Sequence, residues 1–257
     1  MKLAISRCHY DVIIAVSIWL VLVETGGYIG GETFMAKPIP YPKQYVRSIV
    51  KCECENLTDV IEGRYRLRVR LRNSSKKTLT IAMMNPSKAD EQWSDNTVNK
   101  VIRFVFHENA NQQSLVRDIG YINIVNIFPM YEPNSNNVKE LIEEIILYDK
   151  LTAMQERNRQ AFDDALSESK IVVLAWGDVP SKVKASLHNQ QAFNMFSSIK
   201  SHGLEGSTYV FKYEEYATVL TKKKRPRHPS RNTPAAYTKV KNMSVSRNFL
   251  YLSVGTT

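Results

Sequence analysis

The chain has 257 residues, of which 43% are hydrophobic and 23% charged, and these ordinary globular values exclude wholesale disorder. Three cysteines are too few for a disulfide framework, and the pair Cys52 and Cys54 lacks the further ligands of a zinc site. We therefore expect no metal and no cofactor, and a reducing, cytoplasmic compartment.

The charge of the chain is strongly uneven along its length. It carries 35 Lys and Arg against 25 Asp and Glu, a formal net charge of +10. No acidic residue follows Glu215, so residues 216–257 form a basic C-terminal segment and the rest of the chain is close to neutral. A local excess of this kind is typical of an anion-binding face, and the alternative is a solubilising or disordered tail.

An apolar run near the N-terminus raises the question of a membrane segment. Residues 12–23 are much shorter than the roughly 20 apolar residues of a spanning helix, and no A-x-A-like cleavage site follows them. The sequence from Met35 onwards resembles a natural soluble start. We predict that residues 1–34 are an extension or an over-called start, that residues 35–257 form a single domain, and that no membrane is involved.

The first predicted strand spans residues 64–72, where arginines alternate with apolar side chains. This period of two predicts a half-buried strand whose exposed face carries five arginines, which suits a phosphate-rich partner. A turn over 73–77 and a second strand over 78–84 follow. The two strands are expected to pair as an Arg-rich hairpin at the edge of a sheet.

After Met84 the pattern alternates between helical and extended segments. Asp95 or Asn96 is the expected N-cap of the first helix. The segments that follow are a strand at 119–128, helical sequence at 137–168 with a break within it, a strand at 171–176, a helix at 181–201 and a strand at 207–213. This order predicts an α/β fold, a three-layer α/β/α sandwich with a mainly parallel central sheet.

Polar segments follow several of these strands, at the edge where such sheets place their sites. The phosphate-loop, dinucleotide-binding, nucleophile-elbow and metalloprotease motifs are all absent from the sequence. His228 differs from the other histidines because it lies between Arg227 and Pro229 in a rigid cationic loop. It is either a catalytic residue or a phosphate contact.

Four short motifs carry a resemblance to known families. They are MNPSKAD at 84–90, NIFP at 126–129, AWG at 175–177 and RPRHPS at 225–230. They resemble a bacterial family catalogued as a domain of unknown function. Their order over roughly residues 78–232 is also similar to the uracil-DNA-glycosylase superfamily. That superfamily has glycines where this chain has Ala82–Met83 and Ser87.

The glycosylase resemblance implies an enzyme that flips a base out of double-stranded DNA and hydrolyses its N-glycosidic bond. Asn85 would hold the attacking water, with Asp90 or Asp95 as the carboxylate if activation is needed. His228 would donate to the departing base. Because an amide is no general base, positioning and electrostatics would lower the barrier.

The same resemblance implies base-recognition residues and DNA contacts. Either Asn123 or Asn126 would read the base, and Phe128 or Trp93 is the candidate aromatic side chain of the pocket. The expected DNA contacts are Arg64, Arg66, Arg68, Arg70, Lys88, Lys222, Lys223, Lys224, Arg225, Arg227, Ser230 and Arg231.

The identity of the excised base stays open at this level. The long segment 86–97 after Asn85 suits a bulky phage-type modified base, such as a modified cytosine, and a role in antiviral defence. Two other readings remain: a noncatalytic nucleic-acid-binding module that works through its basic tail, and a hydrolase of free nucleosides or nucleotides.

Overall fold

The computed structural model describes residues 39–132, 134, 137–245 and 250–255. The predicted N-terminal extension, residues 1–34, lies outside them. The described elements in chain order are β1 Val46–Asn56, β2 Glu62–Leu71, β3 Lys77–Met83, α1 Asn96–Glu108, β4 Ile119–Asn126, α2 Val138–Leu147, α3 Leu151–Ser167, β5 Ile171–Leu174, α4 Ala185–Ser201, β6 Thr208–Lys212, β7 Ala236–Val245 and β8 Leu250–Val254.

All eight of these strands join one mixed sheet in the order β1-β2-β4-β3-β5-β6-β7-β8. The neighbours β4, β3, β5 and β6 run parallel, whereas the pairs β1–β2, β2–β4, β6–β7 and β7–β8 are antiparallel. The expected mainly parallel sandwich of the uracil-DNA-glycosylase type is therefore wrong. Strands β1, β7 and β8, which the sequence analysis did not recognise, add antiparallel pairings at both edges.

The expected edge hairpin is also wrong, because β4 lies between β2 and β3. Arg66 of β2 is opposite Val125 of β4, and Met83 of β3 is opposite Asn126 on the other side of β4. Strands β3 and β4 are parallel and are connected through α1. The chain therefore leaves a gap of one strand between β2 and β3, and β4 fills this gap after the crossover through α1.

Helices cover both faces of the sheet. Helix α1 packs on one face through Val98, Val101 and Ile102, while α2, α3 and α4 contribute to the hydrophobic core on the other face. The predicted N-cap is confirmed, since the Asp95 carboxylate accepts from the backbone N–H of Val98 at 2.7 Å. The predicted break in the helical stretch is confirmed between α2 and α3. Within the described ranges, no helix has the length and apolar character needed to cross a bilayer.

The arginine face of β2 is buried beneath α3, which contradicts the prediction of an exposed face. Arg66 is only 2% exposed. Its Nε donates to Oδ1 of Asn123 at 3.2 Å, and its Nη2 pairs with Glu168, the C-cap of α3, at 2.6 Å. Its Nη1 lies 3.9 Å from the buried carboxylate of Glu53. Arg66 is therefore a core residue whose charge is matched internally, and it is unable to contact phosphate.

The next two arginines are occupied in the same way. Arg68 pairs with Glu168, and its guanidinium lies 4.7 Å from the ring centre of Tyr121. Arg70 donates to the carbonyl oxygens of Ser75 and Gly120, both at 2.8 Å. A Cβ on Gly120 would lie 1.8 Å from the Ser75 oxygen, so only glycine fits this close approach. Neither arginine is available as the predicted DNA contact.

Arg64 is separated from this row by a β-bulge. Glu53 of β1 is opposite Arg66, and the next residue, Cys54, is opposite Arg64. Strand β2 therefore has one residue more than β1 at this point. The extra residue reverses the side-chain alternation. Arg64 consequently leaves the face of Arg66, and its Nη1 donates to the carbonyl oxygen of Ala89.

We expect Arg66→Met to lower the free energy of unfolding by about 3–5 kcal/mol, because it leaves buried Glu53 and Asn123 without this partner. Arg72→Met is the matched control immediately after the end of β2, since Arg72 is exposed and its side chain donates to the Lys43 carbonyl oxygen. Its expected loss is about 1 kcal/mol or less. Urea denaturation measures both, and equal losses would contradict the burial of the arginine face.

Candidate functional site

A cavity of about 420 Å³ lies beyond the carboxyl ends of β3 and β5. Open sheets with parallel strands place ligands at this edge, and the volume is in the range of small-molecule sites. The polar residues of its wall are Arg64, Asn85, Ser87, Asp95, Thr97, Glu132, Asp178, Thr221, Arg227, His228, Ser230 and Arg231, and Met83, Met84, Trp176 and Tyr216 are among the others.

Asn85 follows β3 directly and is half-buried in this wall. Its Nδ2 donates to the carbonyl oxygen of Glu132 and, at 3.3 Å, to that of Pro86. These bonds fix the orientation of the amide. Its Oδ1 accepts no hydrogen bond from any residue that the structure describes, so a ligand or water can use this oxygen as an acceptor.

His228 presents a donor to the same cavity. The backbone N–H of Ser230 donates to its Nδ1 at 3.2 Å, which assigns the ring proton to Nε2. That Nε2 is buried and has no partner among the described residues. Burial lowers the pKa of His228 from 6.5 to about 4, and the nearby Asp95 carboxylate only partly opposes this shift. At neutral pH the ring is therefore an uncharged N–H donor.

Gly177 holds the histidine loop against the end of β5. Its N–H donates to the carbonyl oxygen of Pro226 at 2.8 Å. Its φ is +82°, and an added Cβ would lie 3.1 Å from Cβ of His228. The backbone conformation and the close approach both require glycine. The AWG motif thus serves as the surface on which the HPS loop packs.

A second anchor of this loop is Arg225, which is 7% exposed. Its Nη2 donates to Oδ1 of Asn189 at 2.8 Å, and its Nη1 lies 3.3 Å from Nδ1 of His188. Burial and the charge of Arg225 lower the pKa of His188 to about 3, so that ring is neutral. Arg225 therefore ties the loop to α4, which contradicts its predicted role as a DNA contact.

The remaining basic residues of the loop lie around the mouth of the cavity. Arg227 stacks on Tyr216, with its guanidinium 3.8 Å from the ring centre, and lines the wall. Lys100 donates to the carbonyl oxygens of Ser230 and Arg231 at 2.8 and 3.1 Å. Ser230 and Arg231 of the wall are exposed, and so are the lysines that follow the wall residues Ser87 and Thr221 in the chain; we call these lysines and Arg231 the basic rim, namely Lys88, Lys222, Lys223, Lys224 and Arg231.

The two candidate carboxylates occupy different places. Oδ1 of Asp90 accepts from the backbone N–H groups of Gln92 and Trp93, both at 2.7 Å, and Asp90 is not part of the cavity wall. Asp95 lines the cavity while capping α1. Asp90 thus caps a turn outside the cavity wall and its catalytic role stays a prediction, whereas Asp95 lines the same cavity as His228. Trp93, 43% exposed, also lies outside the wall.

The three predicted base-recognition residues are buried in the core and do not line the cavity. Asn123 bonds Arg66 and contacts Thr80, beneath α3. The ring of Phe128 packs against that of His188 at 6.2 Å. Both amide atoms of Asn126 are buried without a hydrogen-bond partner in the described part of the chain. None of the three lines this cavity, so the role of Asn123, Asn126 or Phe128 in contacting a base stays a prediction.

Several wall residues were not predicted to belong to a pocket. Arg64 was expected on an exposed face, and only the bulge in β2 places it here. Oδ1 of Asp178 accepts from the Thr221 hydroxyl at 2.6 Å. The position of Asp178 directly after β5 was the sequence feature that could have indicated its place in the wall, whereas nothing in the sequence indicated Tyr216 or Thr221. Within the described residues, no three acidic, histidine or cysteine side chains group closely enough to hold a metal ion.

Comparison with known proteins identifies the family of the chain but not its activity. A family described as "Protein of unknown function (DUF1643)" matches residues 64–230, which is more than half of the chain. Searches of curated proteins and of solved structures returned no match. The matched range extends from Arg64 to Ser230 and so includes nearly the whole cavity wall. The chain therefore belongs to the DUF1643 family.

Proposed function

We propose that this protein is a DNA glycosylase, which hydrolyses the N-glycosidic bond of a modified base flipped out of double-stranded DNA and leaves an abasic site. One observation carries the proposal. The uncharged His228, whose buried Nε2–H has no partner among the described residues, lines a cavity whose wall also contains the fixed Asn85 amide. The order of the sequence motifs, which resembles that of uracil-DNA glycosylases, supports it independently of the fold.

The donor suits the electronic demand of the reaction. When the bond between the base nitrogen and the sugar carbon breaks, its electron pair moves onto the departing base and the sugar becomes oxocarbenium-like. His228 Nε2–H donates to the oxygen or nitrogen where this negative charge develops. A fixed donor stabilises the charge without reorganisation.

The amide oxygen of Asn85 is suited to hold the water that completes the hydrolysis. Oδ1 of Asn85 accepts a hydrogen bond from the water and holds its oxygen towards the sugar carbon. The water oxygen bonds to that carbon, and a proton leaves the water. Asp95 is the carboxylate in the wall that takes the proton, while the departing base is protonated from solvent.

The basic rim accounts for DNA as the partner. Lys88, Lys222, Lys223, Lys224 and Arg231 are exposed beside the cavity mouth and contact phosphates, which position a duplex without reading its sequence. The cavity volume leaves space for a base with a substituent. Bulky modified bases of phage DNA are the corresponding substrates, and antiviral defence is the corresponding role.

Asn85→Ala and His228→Gln should each reduce base excision, by about 100-fold or more for the histidine, because each removes a positioned group. The assay incubates the protein with unmodified, uracil-containing, hydroxymethylated and glucosylated DNA. Alkali then cleaves abasic sites, and a denaturing gel resolves the fragments.

His107→Gln is the control, because His107 is exposed and lies outside the cavity wall. Strand breaks in none of the DNAs, despite tight binding, would favour the noncatalytic binding module. Cleavage of free nucleosides without cleavage of DNA would favour the nucleoside hydrolase.

The pH profile of kcat/KM should be flat from neutral pH down to about pH 5 and fall as the pH approaches about 4. The folded-state pKa of His228 lies below its ordinary value, so Nδ1 gains a proton, and stops accepting from the Ser230 N–H that holds the ring in place, only when the pH falls through about 4. Nitrogen-15 spectra of labelled histidine report the same titration directly, with His228→Gln identifying the signal. A titration of this ring near 6.5 would contradict its burial.

Replacing Lys222, Lys223 and Lys224 together with Gln should make DNA binding less dependent on salt. Each lost phosphate contact lowers the slope of log affinity against log salt by about 0.9. Lys170→Gln is the control, because Lys170 is exposed immediately before β5, at the opposite edge of the sheet from the cavity. Equal slopes for the triple variant and the wild type would remove this loop from the DNA interface.

A further inference from the structure

Arg64 is a buried cation that forms no ion pair with a carboxylate of the described residues. It has no exposed surface, and its Nε and Nη2 have no hydrogen-bond partner among the described residues. Only Nη1 is bonded, to the carbonyl oxygen of Ala89, and the guanidinium lies 5.9 Å from the ring centre of Tyr131. Arg66, two residues along and equally buried, is paired with Glu168.

Such an arrangement is costly for the folded protein. Taking a guanidinium out of water without an opposing charge carries a large desolvation penalty. A protein keeps an arrangement of this kind chiefly where function requires it. Because Arg64 belongs to the cavity wall, a ligand in the cavity is a source of negative charge for it.

The carboxylates of the wall already have donors of their own. Asp95 accepts from Val98 N–H, Asp178 from the Thr221 hydroxyl, and Glu132 from Asn134 N–H at 2.7 Å. By contrast, Nε1 of Trp176 is a further buried donor without a partner in the described part of the chain. The unused groups of this wall are thus mainly N–H donors, which suits a ligand rich in acceptors.

Arg64 lies at a different end of the cavity from the groups proposed to act on the glycosidic bond, Asn85 and His228. Arg64 lies on β2, whereas Trp176 follows β5, and β4 and β3 lie between these strands. Three strand spacings correspond to roughly 14 Å between the two ends. Asn85, at the end of β3, lies between them. A ligand whose reacting bond is at Asn85 and His228 reaches Arg64 only through a substituent that points away from the sugar.

We propose that Arg64 binds an oxyanion, and that the excised base therefore carries an anionic substituent such as a carboxylate. This inference rests on the proposed function in one respect, since it assigns the oxyanion to the excised base. The phosphate of a free nucleotide is the other source of the same chemistry. Met83 and Met84 line the same wall, and their adaptable side chains move aside to admit the substituent.

The first test measures binding by calorimetry with the full chain at neutral pH. The probes are deoxycytidine with a carboxyl group on the base, deoxycytidine with a hydroxymethyl group, and unmodified deoxycytidine monophosphate. We expect the carboxylated nucleoside to bind about tenfold more tightly than the hydroxymethylated one, a preference that Arg64→Met abolishes and Arg64→Lys partly keeps.

Equal binding of the charged and neutral nucleosides, or a preference that survives in Arg64→Met, would overturn the inference. Arg64-dependent binding of the monophosphate, without binding of the carboxylated nucleoside, would overturn its assignment to the base and identify the oxyanion as a nucleotide phosphate.

The second test separates a binding role from a structural one. Because Arg64 forms no ion pair with a carboxylate of the described residues, Arg64→Met should unfold at the same temperature as the wild type or higher. Arg66→Met should unfold at a clearly lower temperature, because it breaks internal pairs. If Arg64→Met lost as much stability as Arg66→Met, Arg64 would be a structural residue and the inference would fail.

Cleavage assays distinguish the failure of this inference from that of the proposed function. DNA carrying the carboxylated base should be cleaved about tenfold faster than hydroxymethylated DNA at limiting substrate. Cleavage of both DNAs at equal rates would overturn the inference and leave a glycosylase. Arg64-dependent binding of the carboxylated nucleoside without cleavage of any DNA would keep the anion site and overturn the glycosylase.

Discussion

The burial of Arg64, Arg66 and Arg70 on β2, with Arg68 partly buried beside them, is the constraint on which the rest of this structure depends. A buried guanidinium needs an opposing charge or a full set of acceptors. Helix α3 supplies Glu168 to Arg66 and Arg68, and nearby backbone carbonyls satisfy Arg70. The bulge at this strand excludes Arg64 from that solution and turns it towards the cavity. The one extra residue in β2 therefore decides whether an arginine joins the structural ion network or lines the cavity as a candidate binding group.

The position of His228 in the cavity wall depends on two contacts of its loop. Gly177 lets the loop after β6 approach the end of β5, and Arg225 ties the same loop to α4. These two contacts hold His228 where burial keeps its ring neutral, and Nε2–H has no partner among the described residues. Packing thus produces the hydrogen-bond donor, and Lys222, Lys223 and Lys224 of the loop stay exposed to a charged partner.

Local features could be predicted from the sequence because they depend on neighbouring residues. The apolar spacing predicted α1 with Asp95 or Asn96 as its N-cap, and the structure selects Asp95; the break between α2 and α3 was predicted as well. Asn85 and His228 were singled out because each lies beside a proline in a polar segment that follows a strand, and both line the cavity. The burial of Asn123, Asn126 and Phe128 was not predicted, since nothing along β4 indicated that helices cover the sheet on both faces. The polar composition of β1 and β7 likewise concealed two strands.

The sequence by itself determined the periodicity of the elements, their caps and breaks, and the polar segments at the strand ends, since these follow from steric and hydrogen-bonding preferences over a few residues. Only the tertiary structure decided the insertion of β4 between β2 and β3, the balance of parallel and antiparallel pairs, and the burial of the arginines. The physical reason is that strand pairing and charge compensation join residues far apart in the chain. Arg66 and Glu168, 102 positions apart, meet only once α3 lies across the sheet.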